Sequence, residues 1–321
     1  VTTKTWHPGA SIDVLRQSAM LRRCIHKFMD EQNVLEVITP VLSAAATTDP
    51  NIHSFRVGDY YLHTSPEFPM KRLLAAYKTD IYQIATVFRD GEAGRFHNAE
   101  FSLLEWYRVG FNHESLMDDV SELLEEVVTL FGMNCQRPKT IQYTDAVMQV
   151  CGVPFAEIDV TDIERVFSQH SRSYPNAIGN DLDAAMDLLM DEFVVSGFSD
   201  EHATFVVGYP ASQAALARIV TGKNNVPVAE RFEMYWGSVE LANGFHELSD
   251  AAEQRARFEH DQHLRAQRGQ LAVPMDEQLL EALSFGLPDC AGVALGLDRL
   301  MLILCGANHI DNVLAFSSSR A

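Results

Sequence analysis

The chain has 321 residues and is 47% hydrophobic, enough for a sizeable buried core. Its formal net charge is -19, from 25 Lys+Arg against 44 Asp+Glu. That balance argues against a nucleic-acid backbone as the main partner and suits a cationic small substrate. No run of eighteen apolar residues exists, which excludes a membrane-spanning helix, and Val1 to Pro8 lacks the basic-then-apolar design of a secretory signal. Five cysteines, Cys24, Cys135, Cys151, Cys290 and Cys305, are scattered without a CxxC pair. They read as free thiols in a reducing cytoplasm, not as disulfides or zinc ligands.

In chain order, Ser11 is a candidate N-cap, followed by Leu21, Cys24, Ile25 and Phe28 at helical spacing. Val34 to Pro40 reads as a strand ended by proline. Tyr60 to Thr64 is a further strand, then Ser65-Pro66-Glu67 opens a helix through Leu74. Ile81 to Phe88 and Phe101 to Val109 read as two strands of a hairpin with a polar, glycine-bearing loop. His113 to Gly132 has one apolar face, from Leu116 to Phe131, with Gly132 as its C-cap candidate. Arg137 to Asp200 reads as mostly helical, and Thr204 to Tyr209 as a buried strand. Phe232 to Tyr235 and Val239 to Ala242 pair across Gly237-Ser238, and Ala251 to Arg268 reads as a polar, solvated helix. Gly292 leads through Asp298-Arg299 into the apolar helix Leu300 to Leu304, with Gly306 past its end. Hairpin-linked strands with helices between groups of strands predict an α+β fold with a mainly antiparallel sheet. No repeat or linker is visible, so a single domain over 1–321 is expected.

Two segments carry the chemistry. Phe88-Arg89-Asp90-Gly91-Glu92-Ala93-Gly94-Arg95-Phe96-His97-Asn98-Ala99-Glu100-Phe101 is the first, and Gly292-Val293-Ala294-Leu295-Gly296-Leu297-Asp298-Arg299 the second. Each sets an arginine beside a glycine or tight turn in apolar surroundings. Fixed guanidinium charges, with glycine where a ligand must approach the backbone, suit a polyphosphate. One such pair in isolation is more often a surface or structural ion pair; two spaced motifs whose flanks match a known family reverse that judgement.

Together the segments resemble motifs 2 and 3 of the class II aminoacyl-tRNA synthetases. Leu241-Ala242-Asn243-Gly244-Phe245-His246-Glu247 resembles the lysine-pocket segment of the lysyl branch, and Leu21 to Pro40 resembles motif 1, the family's dimer-forming element. The likeness covers nearly the whole chain and extends to synthetase paralogues that ligate (R)-β-lysine to elongation factor P. Those paralogues have no anticodon-binding domain, and none is expected here, since only ten residues precede the first helix. The resemblance implies that Arg89 contacts the α-phosphate of ATP and Arg299 the γ-phosphate, the two catalytic cations. It adds Asp90, Gly91, His97, Asn98, Phe101, Glu240, Leu241 and Gly296 around the nucleotide. Charge building on the equatorial oxygens during attack at phosphorus is stabilised by fixed cations. It also implies that Glu233 and Glu240 hold Mg²⁺, whose hard-oxygen preference they match; the alternative is two solvent-facing glutamates on a hairpin. Ser65, Pro66, Glu67, Glu105, Tyr107, Asn243, Glu247 and Ala294 fall at amino-acid-binding positions. Buried glutamates are the expected counter-charges of a diaminocarboxylate.

Two departures stand out. The family's motif 2 reads Arg-x-Glu, whereas Gly91 stands at the glutamate position and Glu92 follows. Lysyl-tRNA synthetases have glycine where this chain has Ala294, and the β-lysine ligases have alanine. The resemblance therefore implies a cytoplasmic homodimer that activates (R)-β-lysine as an adenylate and passes it to a lysine ε-amine of elongation factor P, without tRNA or membrane. The rivals are a truncated lysyl-tRNA synthetase and a non-catalytic, synthetase-like regulator.

Overall fold

A computed structural model describes residues 6–134, 136–222 and 225–321. Residues 1–5, part of the signal-sequence argument, and Cys135 lie outside the described residues. Among the described residues Cys24, Cys151, Cys290 and Cys305 are free thiols, and no helix is long and apolar enough to cross a membrane. Contacts divide the chain into two compact units, Val1–Asn134 with His246–Ala321, and Cys135–Phe245.

The first unit opens with α1 (Ile12–Glu31). Ser11 Oγ accepts from Val14 N at 3.3 Å as its N-cap, and Leu21, Ile25, Phe28 and Met29 form the buried stripe. The strand that follows, β1 (Leu35–Glu36), is shorter than the expected Val34 to Pro40. Val37 N still reaches Tyr82 O at 2.9 Å. At Thr39, however, the side-chain Oε1 of Gln83 accepts both the backbone N–H (3.2 Å) and the hydroxyl (2.9 Å). A side chain thus replaces the ladder one residue before Pro40, which has no N–H to donate. Three short strands, β2 (Leu42–Ser43), β3 (Arg56–Val57) and β4 (Tyr60–Leu62), make a separate small sheet in the order β2-β4-β3. The helix α2 (Glu67–Tyr77) starts after Pro66. Then β5 (Ile81–Phe88) and β6 (Glu100–Val109) pair antiparallel from Ile81↔Tyr107 to Phe88↔Glu100, and α3 (His113–Leu130) follows, capped by Asn112 Oδ1.

The second unit contains β7 (Lys139–Gln142), α4 (Tyr143–Cys151), α5 (Val160–Gln169), α6 (Leu182–Leu189) and β8 (Ala203–Val207). A small hairpin, β9 (Ile219–Thr221) with β10 (Pro227–Ala229), precedes β11 (Arg231–Trp236) and β12 (Val239–His246). Its strands run β12-β11-β8-β7; β7 lies parallel to β8 and the other pairs are antiparallel. The short polar strand Lys-Thr-Ile-Gln sits in a stretch that the sequence suggests is helical. Its pairing to the fully buried β8 overrides weak local preference. Tyr143, Val147, Ile163, Val166, Phe167, Leu189 and Val206 form the core of this unit.

The chain then returns to the first unit with α7 (Ala251–Gln267) and α8 (Glu277–Gly286). The helix α7 is less solvated than expected, since Gln254, Phe258 and Arg265 are buried. Next, β13 (Cys290–Gly296) pairs antiparallel to β6 and runs directly into α9 (Leu297–Leu304), three residues earlier than anticipated. The strands of this unit run β1-β5-β6-β13, with only β1–β5 parallel. Both units are thus α+β, with mainly antiparallel sheet flanked by helices.

Candidate active site

Alternation along β6 places Phe101, Leu103, Glu105 and Tyr107 on one face, while Trp106 faces the other way and donates to Asp119 at 2.9 Å. Tyr107 OH donates to Glu105 Oε1 at 2.7 Å. Ser65 Oγ donates to Glu105 Oε2 at 2.6 Å and accepts from Glu67 N at 3.0 Å, tying β6 to the start of α2. One turn into α2, Lys71 is buried. Its Nζ lies 2.7 Å from Glu67 Oε1 and 2.6 Å from Glu247 Oε2. The Glu247 backbone N–H is held by Cys290 O at 3.0 Å. Three carboxylates, one ammonium and one phenol therefore meet in a nearly dry pocket.

The electrostatics follow from burial. Desolvation, then Glu67, pushes Glu105 up to about 7 despite the Ser65 and Tyr107 hydrogen bonds. Desolvation pushes Glu247 up to about 8, a rise that Lys71 limits and Glu67 adds to. Burial alone would lower Lys71, but Glu247 and Glu67 outweigh it and hold it well above its ordinary value. The carboxylates must share one ammonium, so the ammonium is the group that keeps its charge.

The adjacent strand explains the glycine pattern. In β13, Gly292 lies opposite Tyr107 and Ala294 opposite Glu105. A Cβ at Gly292 would stand 2.2 Å from Tyr107 Cε1 and 2.6 Å from Glu247 Oε1, so only glycine admits that ring and carboxylate together. Two residues on, on the same face, the strand accepts the methyl of Ala294.

The arginine motifs also lie in this unit. The guanidinium carbon of Arg89 stands 5.1 Å from the Phe101 ring centroid, and Nε donates to Thr64 O at 3.3 Å. Gly91 has φ +84°, a left-handed turn conformation in which a glutamate would be strained. Glu92 comes to 3.4 Å from Arg89 Nη1, so the residue after the turn supplies the carboxylate. Asp90 N donates to His53 O at 2.8 Å. Arg299 Nη2 donates to His97 Nε2 at 2.6 Å, and Arg299 Nε to Phe96 O at 3.3 Å. An imidazole accepting from a guanidinium is neutral, and burial followed by the Arg299 charge does hold His97 below its ordinary value. Asn98 Nδ2 donates to Glu100 O at 2.6 Å and Oδ1 accepts from Ser318 N at 2.9 Å, so its amide ties the loop to the C-terminal segment. Gly296 is the N-cap of α9, and Asp298 accepts from Ser102 N at 2.7 Å, which fixes the helix start beside Arg299.

The second unit carries Glu233, Glu240, Leu241 and Asn243. A β-bulge between Met234 and Tyr235 leaves Leu241 as the extra residue, because Met234 pairs with Ala242 and Tyr235 with Glu240. Glu240 and Asn243, three apart, thereby reach the same face as Glu233. On the other face Gly244 lies under Phe232, whose Cζ would be 2.4 Å from an added Cβ. Glu233 is heavily engaged: Arg231 donates to Oε1, and Tyr209 OH (2.6 Å) and Tyr235 OH (2.5 Å) both donate to Oε2. Arg231 Nε also donates to Asn243 Oδ1 at 3.2 Å. Among the described residues no group of three or more His, Cys, Asp or Glu is arranged to hold a metal ion. A magnesium ion that takes most of its ligands from phosphate and water needs only one or two carboxylates, which Glu233 and Glu240 on one face of the hairpin could supply.

Sequence reasoning missed Lys71, Arg231, Tyr209 and Tyr235. The i,i+4 spacing of Glu67 and Lys71 was the available signal for the first.

The family model described as tRNA synthetases class II (D, K and N) matches residues 9–320, and the chain belongs to this family. Among curated proteins, it is similar to the elongation factor P–(R)-β-lysine ligase of Vibrio cholerae serotype O1, at 44% identity covering 100% of both chains. The proteins of that name from Vibrio parahaemolyticus (44%, 97% of each chain) and Salmonella typhi (41%, 99% of each chain) are similar to it over the same span.

Proposed function

We infer that this chain is an ATP-dependent ligase that activates (R)-β-lysine and transfers it to a lysine ε-amine of elongation factor P. The observation that carries the reading is the buried Glu67–Lys71–Glu247 and Glu105–Tyr107 cluster beside Gly292 and Ala294, a cation-binding pocket in a family that activates amino acids. Its relatives' shared name supplies the acceptor and the stereochemistry.

In this reading the substrate carboxylate attacks the α-phosphorus of ATP, the bond to the β-phosphate oxygen breaks, and pyrophosphate leaves. Arg89 and Arg299 stabilise the charge that develops on phosphate oxygens. Neutral His97 orients Arg299 without competing for the anion. Phe101, next to the Arg89 guanidinium, offers a ring face to the adenine. Glu233 and Glu240 would hold Mg²⁺, which would supply neutralisation of phosphate charge. Glu67, Glu105, Tyr107 and Glu247 receive the ammonium groups of the substrate. The acceptor's amine lone pair then attacks the acyl carbon, the bond to the phosphate oxygen breaks, AMP leaves and the amine loses its proton. A free lysine amine is almost wholly protonated at neutral pH, its ordinary pKa being about 10.4, so docking must deliver it deprotonated.

A cytoplasmic homodimer completes the reading. Support for self-association comes from the motif 1 segment and its neighbours, where Leu35, Ile38, Val41, Leu42 and Tyr60 are exposed, Ile38 by 90%. One catalytic domain without tRNA charging is part of the same proposal. Intact-mass analysis of elongation factor P after incubation with ATP, Mg²⁺ and (R)-β-lysine tests it, with tRNA aminoacylation run in parallel.

A further inference from the structure

Arg231 is none of the residues assigned to phosphate, metal or amino acid, yet it holds two of them. On β11 the alternate positions Arg231, Glu233 and Tyr235 share one face, while Phe232, Met234 and Trp236 are buried on the other. The register sets Asn243 of β12 directly opposite Glu233. Each nitrogen of the Arg231 guanidinium has its own acceptor: Nε donates to Asn243 Oδ1 at 3.2 Å, Nη1 to Gln213 O at 2.6 Å and Nη2 to Glu233 Oε1. The guanidinium carbon lies 4.4 Å from the Tyr209 ring centroid, and the side chain is only 14% exposed. Two consequences follow from donor and acceptor chemistry. A guanidinium can only donate, so the Asn243 oxygen faces it and the amide –NH₂ is the end left for a ligand. A carboxylate offers about four lone-pair sites, two on each oxygen. The tyrosines Tyr209 and Tyr235 fill Glu233 Oε2, so the remaining site is on Oε1, beside the Arg231 hydrogen bond.

We propose that Arg231 is a positioning residue whose one rigid guanidinium aims the Glu233 carboxylate at a divalent cation and the Asn243 amide at the amino acid. This deepens the adenylate-forming reading and rests on it. The planar fork fixes the spacing between carboxylate and amide, so the two binding functions share one support. Lysine keeps the charge but has a single nitrogen on a flexible stem, and it cannot span both acceptors and the Gln213 carbonyl. The tyrosine hydroxyls hold Glu233 and not Asn243, which separates the two effects. Hydrogen-bond partners that orient a ligating carboxylate typically carry about 10–100-fold in metal affinity. A residue that only stabilised the hairpin would lower Tm without this pattern.

The test compares wild type with R231K, R231M and Y235F, with thermal unfolding to establish folding; R231K carries the comparison should R231M not fold. Mn²⁺, the paramagnetic substitute for Mg²⁺, is titrated by electron paramagnetic resonance in the presence of a non-hydrolysable ATP analogue. Binding of (R)-β-lysine is measured separately by calorimetry without nucleotide. The expected result for R231K and R231M is Mn²⁺ affinity lowered by about 10–100-fold. Their affinity for (R)-β-lysine falls by about three- to tenfold, the worth of one misdirected hydrogen bond. Y235F, which loses one donor to Glu233, weakens Mn²⁺ binding and leaves (R)-β-lysine binding at the wild-type level. Folded Arg231 variants that keep both affinities, or that bind Mn²⁺ more tightly, overturn the proposal. A loss confined to one of the two ligands overturns the shared support, and a Y235F defect for (R)-β-lysine equal to that of R231K would make the effect a general loosening of the hairpin. Both measurements need neither turnover nor elongation factor P. Failure of the functional reading shows separately, as unmodified elongation factor P with a wild type that binds both ligands.

Discussion

Lys71 Nζ stands 2.6 Å from Glu247 Oε2, with both side chains 1% exposed. Breaking a buried pair by removing one partner is destabilising by roughly 3–5 kcal/mol, because the other charge is left behind. Glu247→Gln keeps the size and leaves Lys71 with Glu67, so the fold should survive with a lowered Tm. The expected kinetic outcome is a KM for the amino acid raised by about one to two decades with the KM for ATP unchanged, since a charge-assisted contact becomes a neutral one. A rise in the ATP constant alone would assign Glu247 to the nucleotide.

Arg299→Ala should abolish adenylate formation without unfolding the chain. The half-buried guanidinium donates to His97 and to the Phe96 carbonyl. Loss of one transition-state charge contact corresponds to about 3–4 kcal/mol, or two to three decades in rate. Pyrophosphate exchange and circular dichroism on the same sample check it; near-normal exchange would contradict the phosphate assignment.

Gly292→Ala is expected to be more damaging than its single methyl suggests. The new Cβ would stand 2.2 Å from the Tyr107 ring and 2.6 Å from Glu247, so the ring must move. Overpacking of this kind costs about 1–3 kcal/mol. Thermal unfolding should show the loss, and the KM for the amino acid should rise more than that for ATP. Ala294→Gly, two residues away on the same face, opens space beside Glu105 and should leave Tm nearly unchanged.

The pocket also gives stability a pH dependence. Glu105 at about 7 and Glu247 at about 8 bind protons more readily in the folded chain than in the unfolded one, where such acids titrate near the ordinary 4.5. Stability from these groups is therefore greatest at low pH and declines as pH rises through 7 and 8. Lys71, raised above its ordinary value, loses its contribution only at far more alkaline pH. His63 and His97 are both held low and are already neutral in this window. Calorimetry of the ligand-free protein between about pH 7 and 8.5 should show a falling Tm, a slope that Glu247→Gln reduces. A rising Tm with no effect of the variant would contradict this charge assignment.

Much of this was legible from residue patterns because the relevant elements are strongly local. The β5–β6 hairpin follows from two apolar runs around a glycine-bearing loop, and α1 and α3 from caps and apolar spacing. The elements that escaped depend on partners remote in sequence. The polar strand Lys139–Gln142 exists because β8 is buried beside it. The expected strand at Val34 to Pro40 is cut short by the side chain of Gln83, forty-four residues from Thr39. Within the site, a resemblance names positions but not their states. Nothing in the letters showed that Asn98 is tied to Ser318, that Arg231 and two tyrosines engage Glu233, or that the Leu241 bulge brings Glu240 and Asn243 to one face. Gly91 and Glu92 are an intermediate case, where φ +84° at the glycine accounts for the displaced carboxylate.

The central claim is transfer of a β-lysyl group to a protein. Intact-mass spectrometry of elongation factor P, after incubation with this protein, ATP, Mg²⁺ and (R)-β-lysine, tests it most directly. The expected result is a gain of one β-lysyl group at a single lysine, abolished when that lysine is changed to arginine, with tRNA not charged at a comparable rate. An unmodified elongation factor P alongside efficient formation of lysyl-tRNA would contradict the account and make the chain a tRNA-charging enzyme.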